Sequence, residues 1–163
     1  MGSVLFVCTA NVCRSPMACA IFRRILEGEQ DKAHWRVESA GTWAVDGLPA
    51  SSGSQQVMKE WGMDISDHRS RAVDQELLAL FDLILTMESG HKEALRAEFP
   101  DFSNRIFMLS EMIDQTFDVA DPIGRPLSDY EKTAIEIERL ISSGFNRIQE
   151  LVKKDPLDNS PYE

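Results

Sequence analysis

Val4-Leu5-Phe6-Val7-Cys8-Thr9-Ala10-Asn11-Val12-Cys13-Arg14-Ser15-Pro16 is the stretch from which the rest of the chain can be read. Val4–Val7 is a short apolar run of the kind that makes a strand buried on both faces. Ser15 predicts a helix N-cap, and Pro16 suits the first helical position, where the amide it lacks would be unpaired anyway. A strand–loop–helix turn points several backbone N–H groups and the positive end of a helix dipole at one spot, which makes an anion site. The Cys8 thiol lies at the edge of that spot, so its thiolate is expected to be stabilised. Arg14 adds a planar fork able to hold two oxygens of one phosphate. A nucleophile, a cradle made of Thr9, Ala10, Asn11, Val12, Cys13, Arg14 and Ser15, and a charge clamp therefore converge on a phosphoryl group.

Outward from this stretch, strand and helix patterns alternate along the chain. Pro16 to about Glu27 predicts a helix, with Met17, Ile21, Ile25 and Ala18, Phe22, Leu26 as i, i+4 rows. Trp35, Val37 and Ser39 alternate as a second strand. A loop over Gly41–Gly53 and a helix over Ser54–Trp61 follow, the helix ending at Gly62. Asp64–Arg71 reads as turn, Gln75–Leu80 as a short helix, and Asp82–Met87 as the third strand. Glu88–Phe99 predicts a helix closed by Pro100, and Arg105–Leu109 the fourth strand. The pattern breaks over Glu111–Leu127, so Asp121-Pro122-Ile123-Gly124-Arg125-Pro126 is expected to be loop. Ser128, with Glu131 completing a capping box, predicts the start of a long helix carrying Leu140, Ile141, Phe145, Ile148 and Leu151 on one face. Residues 1–154 are expected to form one domain and residues 155–163 a frayed tail.

Strands separated by helices predict an α/β fold of three layers, a four-stranded parallel sheet, doubly wound and flavodoxin-like, with helices on both faces. Ligands in such sheets bind outside the carboxyl ends of the strands, near the topological switch point. Cys8 ends strand one and the Asp121 loop follows strand four, so their distance in sequence is no obstacle to their meeting.

Composition narrows the function. The 163 residues, 43% of them hydrophobic, suffice for one sizeable core. No apolar run reaches the length of about 18 residues that a membrane span needs, and no basic segment with an apolar stretch marks a secretory signal. Gly2 hints at myristoylation, but Phe6 stands where that motif wants a hydroxyl. The expected location is the cytoplasm, with no membrane partner. A formal net charge of −10 argues against nucleic acid, whose phosphates demand a basic surface. A single phosphate inside an acidic shell remains compatible with Arg14 and the loop amides.

Cys8, Cys13 and Cys19 are the only cysteines. An odd, clustered set is no disulfide framework, and no nearby His or second Cys pair completes a metal site, so no metal and no cofactor are expected. Cys19 reads as a small apolar helix residue. Cys13 is either a packing residue or a reversible redox partner for an oxidised Cys8.

Thiol-based hydrolysis of a phosphate monoester also needs a proton for the leaving group. Asp121 fits that need, since Pro122 holds it extended and out of any helix. Asp118, three residues earlier, is the rival. Ser15 can cap the helix and hydrogen-bond the Cys8 sulfur. Asn11, in mid-loop, is a residue that tolerates a left-handed backbone.

The octet Cys8–Ser15 resembles the phosphate-binding loop of the low-molecular-weight protein tyrosine phosphatases, and Asp121-Pro122 resembles that family's general-acid motif. The resemblance runs from Val4 to about Val152. It implies catalytic roles for Cys8, Arg14 and Asp121, a phosphocysteine intermediate and a phosphorylated protein substrate. It also implies inhibition by phosphate or vanadate, and the chain is expected to act as a monomer. Ser39, in Glu38-Ser39-Ala40-Gly41-Thr42, and His68, in His68-Arg69-Ser70-Arg71, match the serine and histidine that hold the loop asparagine in that family.

The rim departs from the eukaryotic members, which resemble Asp-Pro-Tyr-Tyr. Ile123 and Gly124 follow Pro122 here, and the Asp-Pro-x-Gly form, with Tyr130 and Thr133 downstream, looks like the bacterial branch that includes protein-arginine phosphatases. Trp43 is either a pocket wall or packed on the core. The arginine phosphatases resemble Cys-Thr-Gly-Asn-Thr-Cys-Arg-Ser, with a threonine where this chain has Val12. A valine offers a phenyl ring an apolar contact and offers a guanidinium nothing, so Val12, Trp43 and Ile123 are expected to line a pocket for phosphotyrosine. Arginine phosphatase is the alternative. Arsenate reductases of this fold need later cysteines, which this chain lacks after Cys19. A silent phosphate-binding module would have no use for both Cys8 and Asp121.

Overall fold

The computed structural model describes residues 2–30 and 32–154, so the tail expected over residues 155–163 lies outside the described residues. Among these residues four strands, β1 (Gly2–Cys8), β2 (Trp35–Gly41), β3 (Leu83–Thr86) and β4 (Ile106–Met108), form one sheet in the order β2-β1-β3-β4. Every pairing is parallel, with Cys8 opposite Gly41, Val7 opposite Thr86, and Thr86 opposite Met108. The register brings the carboxyl ends of the strands to one edge, with β1 at the centre where the winding reverses. This is the parallel α/β architecture the sequence predicts.

Among the described residues five α-helices cover the sheet: α1 (Arg14–Leu26), α2 (Ser52–Glu60), α3 (Gln75–Leu78), α4 (Ser89–Glu98) and α5 (Leu127–Lys153). The period of two along β1 separates the core into two clusters. Val4, Phe6 and Cys8 pack with Met17, Ile21 and Phe22 of α1 and Ile137, Leu140, Ile141 and Ile148 of α5. Leu5 and Val7 face the other way, onto Leu77, Leu78, Phe81 and Leu95. Phe6, Phe22, Trp35 and Phe145 form an aromatic chain with ring centroids 5.4–6.4 Å apart.

The expected boundaries shift at both important helix starts. Helix α1 begins at Arg14 with Cys13 before it, so Ser15 is not the N-cap, and no side chain caps that end. The reason is that the Ser15 hydroxyl is engaged by the loop, and Pro16 still falls in the first turn, where a missing N–H costs nothing. Helix α5 begins at Leu127 after Pro126 in extended conformation, so the Ser128–Glu131 capping box does not form. Fixed φ at Pro126 starts the helix two residues earlier than a cap at Ser128 would. Leu109–Ile113 is a 3-10 helix where the sequence pattern ends in loop. It packs on α5 so closely that a Cβ on Gly144 would stand 2.6 Å from the Met112 Cβ.

Gly41 ties this scaffold to the site. A Cβ there would lie 2.4 Å from the Thr9 carbonyl oxygen and 3.1 Å from the Asn11 amide nitrogen, both of them backbone. Gly41→Ala is therefore expected to cost about 1–3 kcal/mol, the usual scale of an overpacked site. A thermal melt should show Tm lowered by about 2–12 °C.

Candidate active site

Cys8 is the last residue of β1, and Arg14 the first of α1. Between them the chain reverses through Asn11, whose φ is +59°, a left-handed conformation that asparagine tolerates better than most residues. Asn11 is fully buried and every polar group of its side chain is used. Its Nδ2 donates to Ser15 Oγ at 2.8 Å and to Ser39 Oγ at 2.9 Å. Its Oδ1 accepts from the Arg71 backbone N–H at 3.0 Å, and its carbonyl accepts from His68 Nε2 at 2.7 Å. Ser39 and His68 thus stand where the sequence expectation puts them, around Asn11.

The same arrangement serves the sulfur. Ser15 Oγ lies 3.0 Å from Cys8 Sγ, and Asn11 already occupies a lone pair of that oxygen. The serine proton is therefore free to be donated to the Cys8 sulfur. Cys13 differs. Its Sγ donates to Ser51 Oγ at 3.2 Å and lies 3.8 Å from the Tyr130 hydroxyl. Burial pushes its thiol above the ordinary value, and burial pushes the Cys19 thiol up to about 12. All three cysteines are free.

Arg14 is only 1% exposed, and one end of its guanidinium is clamped. Nη1 donates to Glu88 Oε2 at 2.6 Å and to the Val119 carbonyl at 2.8 Å. Nε has no hydrogen-bond partner among the described residues, and Nη2 has only distant neighbours, Thr9 Oγ1 and Asp121 Oδ2, each at 3.5 Å. A buried N–H without an acceptor is costly. The Nε–Nη2 edge has the geometry to take two oxygens of an anion, which would satisfy it.

The loop after β4 is bound to the sheet where the Val119 N–H donates to the Met87 carbonyl at 2.8 Å. Its Asp121 is exposed, with Oδ1 accepting from the Ile123 N–H at 3.1 Å and Oδ2 facing Arg14. Asp118 is engaged elsewhere, its Oδ1 accepting from the Ser89 N–H in the first turn of α4 at 2.8 Å. Trp43 is 84% exposed, which rules out packing on the core, and its backbone N–H donates to the Thr9 carbonyl at 2.9 Å. Ile123 is also exposed, Val12 is half-buried, and Ala10 is exposed beside Thr9.

Glu88 and His91 escape the sequence reading. Both sit just past the carboxyl end of β3, the central strand's neighbour, where any polar side chain can reach the switch point. That position, together with Glu88-x-x-His91 at a helix start, is the signal that could have found them. Ser51 and Arg71 are further contacts that only the folded loops reveal. Among the described residues no group of three or more His, Cys, Asp or Glu side chains is placed to hold a metal ion. Nor is any described helix long and apolar enough to cross a membrane.

Fold and site together define a phosphatase of the Cys-x5-Arg type. A family model, low molecular weight phosphotyrosine protein phosphatase, matches residues 3–155, and the chain belongs to that family. It is 36% identical over 149 residues to a probable low molecular weight protein-tyrosine-phosphatase of Ralstonia nicotianae, covering 91% of this chain and 97% of the relative. It is 37% identical over 147 residues to a protein-arginine-phosphatase of Geobacillus stearothermophilus, covering 90% and 95%. The crystal structure of a low molecular weight protein tyrosine phosphatase from T. tengcongensis superposes with a TM-score of 0.81 at 42% identity, over 90% of this chain and 99% of that one.

Burial holds His68 and His91 below the ordinary histidine value of 6.5. The unfolded chain then binds more protons than the native one just below that value, so stability rises with pH there. Denaturant unfolding is expected to show full stability above about pH 6.5 and a progressive loss as pH falls below it. The loss should be smaller in a His68→Gln variant, whose amide can still donate to the Asn11 carbonyl.

Proposed function

We propose that the chain hydrolyses phosphotyrosine in protein substrates through a phosphocysteine intermediate. The observation that carries this reading is the buried Arg14, whose Nε has no partner among the described residues and whose Nη2 has neighbours only at 3.5 Å, beside a seven-residue cradle and a thiol within hydrogen-bond distance of Ser15. In the first step Cys8 Sγ bonds to phosphorus as the bond from phosphorus to the tyrosine oxygen breaks. Asp121 supplies the proton that the departing phenol takes. In the second step water attacks phosphorus, Asp121 accepts its proton, and phosphate leaves with the S–P bond broken. Arg14 and the amides of residues 9–15 bear the charge of the equatorial oxygens throughout. Asn11, Ser15, Ser39 and His68 hold this geometry.

Asp121 is favoured as the acid over Asp118 because it faces Arg14, whereas Asp118 is bound to the start of α4. Trp43 and Ile123, both exposed, would flank a long aryl side chain better than a short serine phosphate. Cys13, the cysteine nearest to Cys8 in the sequence, would trap an oxidised Cys8 as a disulfide. Three free thiols fit a reducing cytoplasm. Residues 1–154 would act as one domain, as a monomer, needing no metal or cofactor and inhibited by phosphate or vanadate.

A second reading, hydrolysis of phosphoarginine, draws on the relative of that activity. Val12 speaks against it, because its side chain can neither accept from nor donate to a guanidinium.

Cys8→Ser is expected to abolish turnover of an aryl phosphate, and retained turnover would overturn the mechanism. Asp121→Asn should slow hydrolysis by about 10²- to 10⁴-fold for leaving groups that need a proton, and less for those that do not. In competition assays with phosphotyrosine and phosphoarginine peptides, phosphotyrosine should be preferred. Val12→Thr should move that preference towards phosphoarginine by about 10- to 200-fold.

A further inference from the structure

Thr9 follows the nucleophile directly, and its hydroxyl is held from outside the loop. His91 of α4 is 6% exposed, and its Nδ1 accepts the Glu88 backbone N–H at 3.2 Å, so that nitrogen carries no proton. Burial keeps the ring neutral at neutral pH. The remaining ring proton must then be on Nε2, which lies 2.8 Å from Thr9 Oγ1. The hydrogen bond consequently runs from His91 to Thr9, and the threonine oxygen accepts. A second donor, Arg14 Nη2, faces the same oxygen at 3.5 Å.

A hydroxyl has two lone pairs and one proton. Both lone pairs of Thr9 Oγ1 thus face donors, while its proton has no acceptor among the described residues. Thr9 is exposed, so that proton is free to meet whatever enters the site. Its surroundings define what that is. Arg14 Nη2 belongs to the edge left open for an anion, and the same nitrogen is 3.5 Å from Asp121. The hydroxyl, the open guanidinium edge and the carboxyl therefore surround one small region.

We infer that Thr9 is a catalytic residue that donates a hydrogen bond to a non-bridging oxygen of the transferring phosphoryl group, and that His91 is the positioning residue that aims it. The inference rests on the Cys8-dependent hydrolysis proposed above and adds to it a donor outside the backbone cradle. A donor whose lone pairs are already engaged cannot turn round to accept, so it costs little reorganisation as negative charge develops. It acts on the phosphoryl oxygens and not on the leaving group. Its effect should consequently be the same for every leaving group, unlike that of Asp121.

The test is a steady-state series of aryl phosphates spanning good and poor leaving groups, run on the parent and on Thr9 and His91 variants. Thr9→Val should lower kcat/KM by about 10- to 100-fold, the scale of one hydrogen bond to a charged group, uniformly across the series and with the loss visible in kcat. Inhibition by inorganic phosphate should weaken in parallel. Thr9→Ser restores the hydroxyl and should stay within about threefold of the parent, which separates lost chemistry from a damaged loop. His91→Gln retains an N–H near the Nε2 position and should keep more activity than His91→Leu. In a Thr9→Val background, His91→Leu should add less than about a twofold further loss, because its target is gone.

Parental rates in Thr9→Val would overturn the inference, as would a loss confined to poor leaving groups. Multiplying losses in the double variant would place the action of His91 on Glu88 and Arg14 instead. Each of these leaves Cys8-dependent turnover of the parent intact, whereas absent turnover in the parent would strike the underlying reading.

Discussion

Asn11 is the constraint on which the site depends. A left-handed asparagine buried with no exposed surface persists only where its surroundings over-determine it. Four hydrogen bonds do so here, from the start of α1, from β2 and from the 68–71 turn. The loop thereby takes its curvature from three separate parts of the chain. The sheet sets the distances among them, since Cys8 and Gly41 are register partners. Gly41 then lets the Thr9 carbonyl and the Asn11 amide approach as no side chain would allow.

Given that curvature, Arg14 must enter the interior, and its burial organises the other half of the site. A guanidinium removed from water needs acceptors on every side. Glu88 and the Val119 carbonyl satisfy one end and so join α4 and the loop after β4 to the cradle. The opposite edge is left to the ligand. Binding of an anion would complete a set of interactions that the protein alone leaves unfinished, which is a direct physical reason for affinity. Glu88 also keeps the resting site from carrying an isolated positive charge.

The neighbouring thiols show how position sets chemistry. Cys8 Sγ lies 3.0 Å from the Ser15 hydroxyl, whereas Cys13 donates its own proton to Ser51 and is pushed towards the neutral form by burial. Cys19, on the same helix face as the core, is buried completely enough to remain a thiol. Three cysteines within one short stretch thus have three different sets of neighbours.

The order of strands and helices, the parallel sheet and the convergence of Cys8, Arg14 and Asp121 at one edge were legible in the chain. They follow from local periodicity and from the rule that parallel strands present ligands at their carboxyl ends. The Cys8–Ser15 octet carried the chemistry because nucleophile, turn and helix start are contiguous. Helix starts were less legible. Ser15 and Ser128 look like caps, yet the hydroxyl of one is taken by Asn11 and a proline precedes the other helix, so neither caps. Glu88 and His91 carried only a weak signal as site residues, because their partners Arg14 and Thr9 are distant in sequence and the pairing of β1 with β3 brings them together. Trp43 could not be assigned to core or surface from its neighbours, and packing decided that it stands in solvent. Local pattern determined which chemistry this protein carries, and long-range burial, which no local pattern encodes, decided which groups hold it in place.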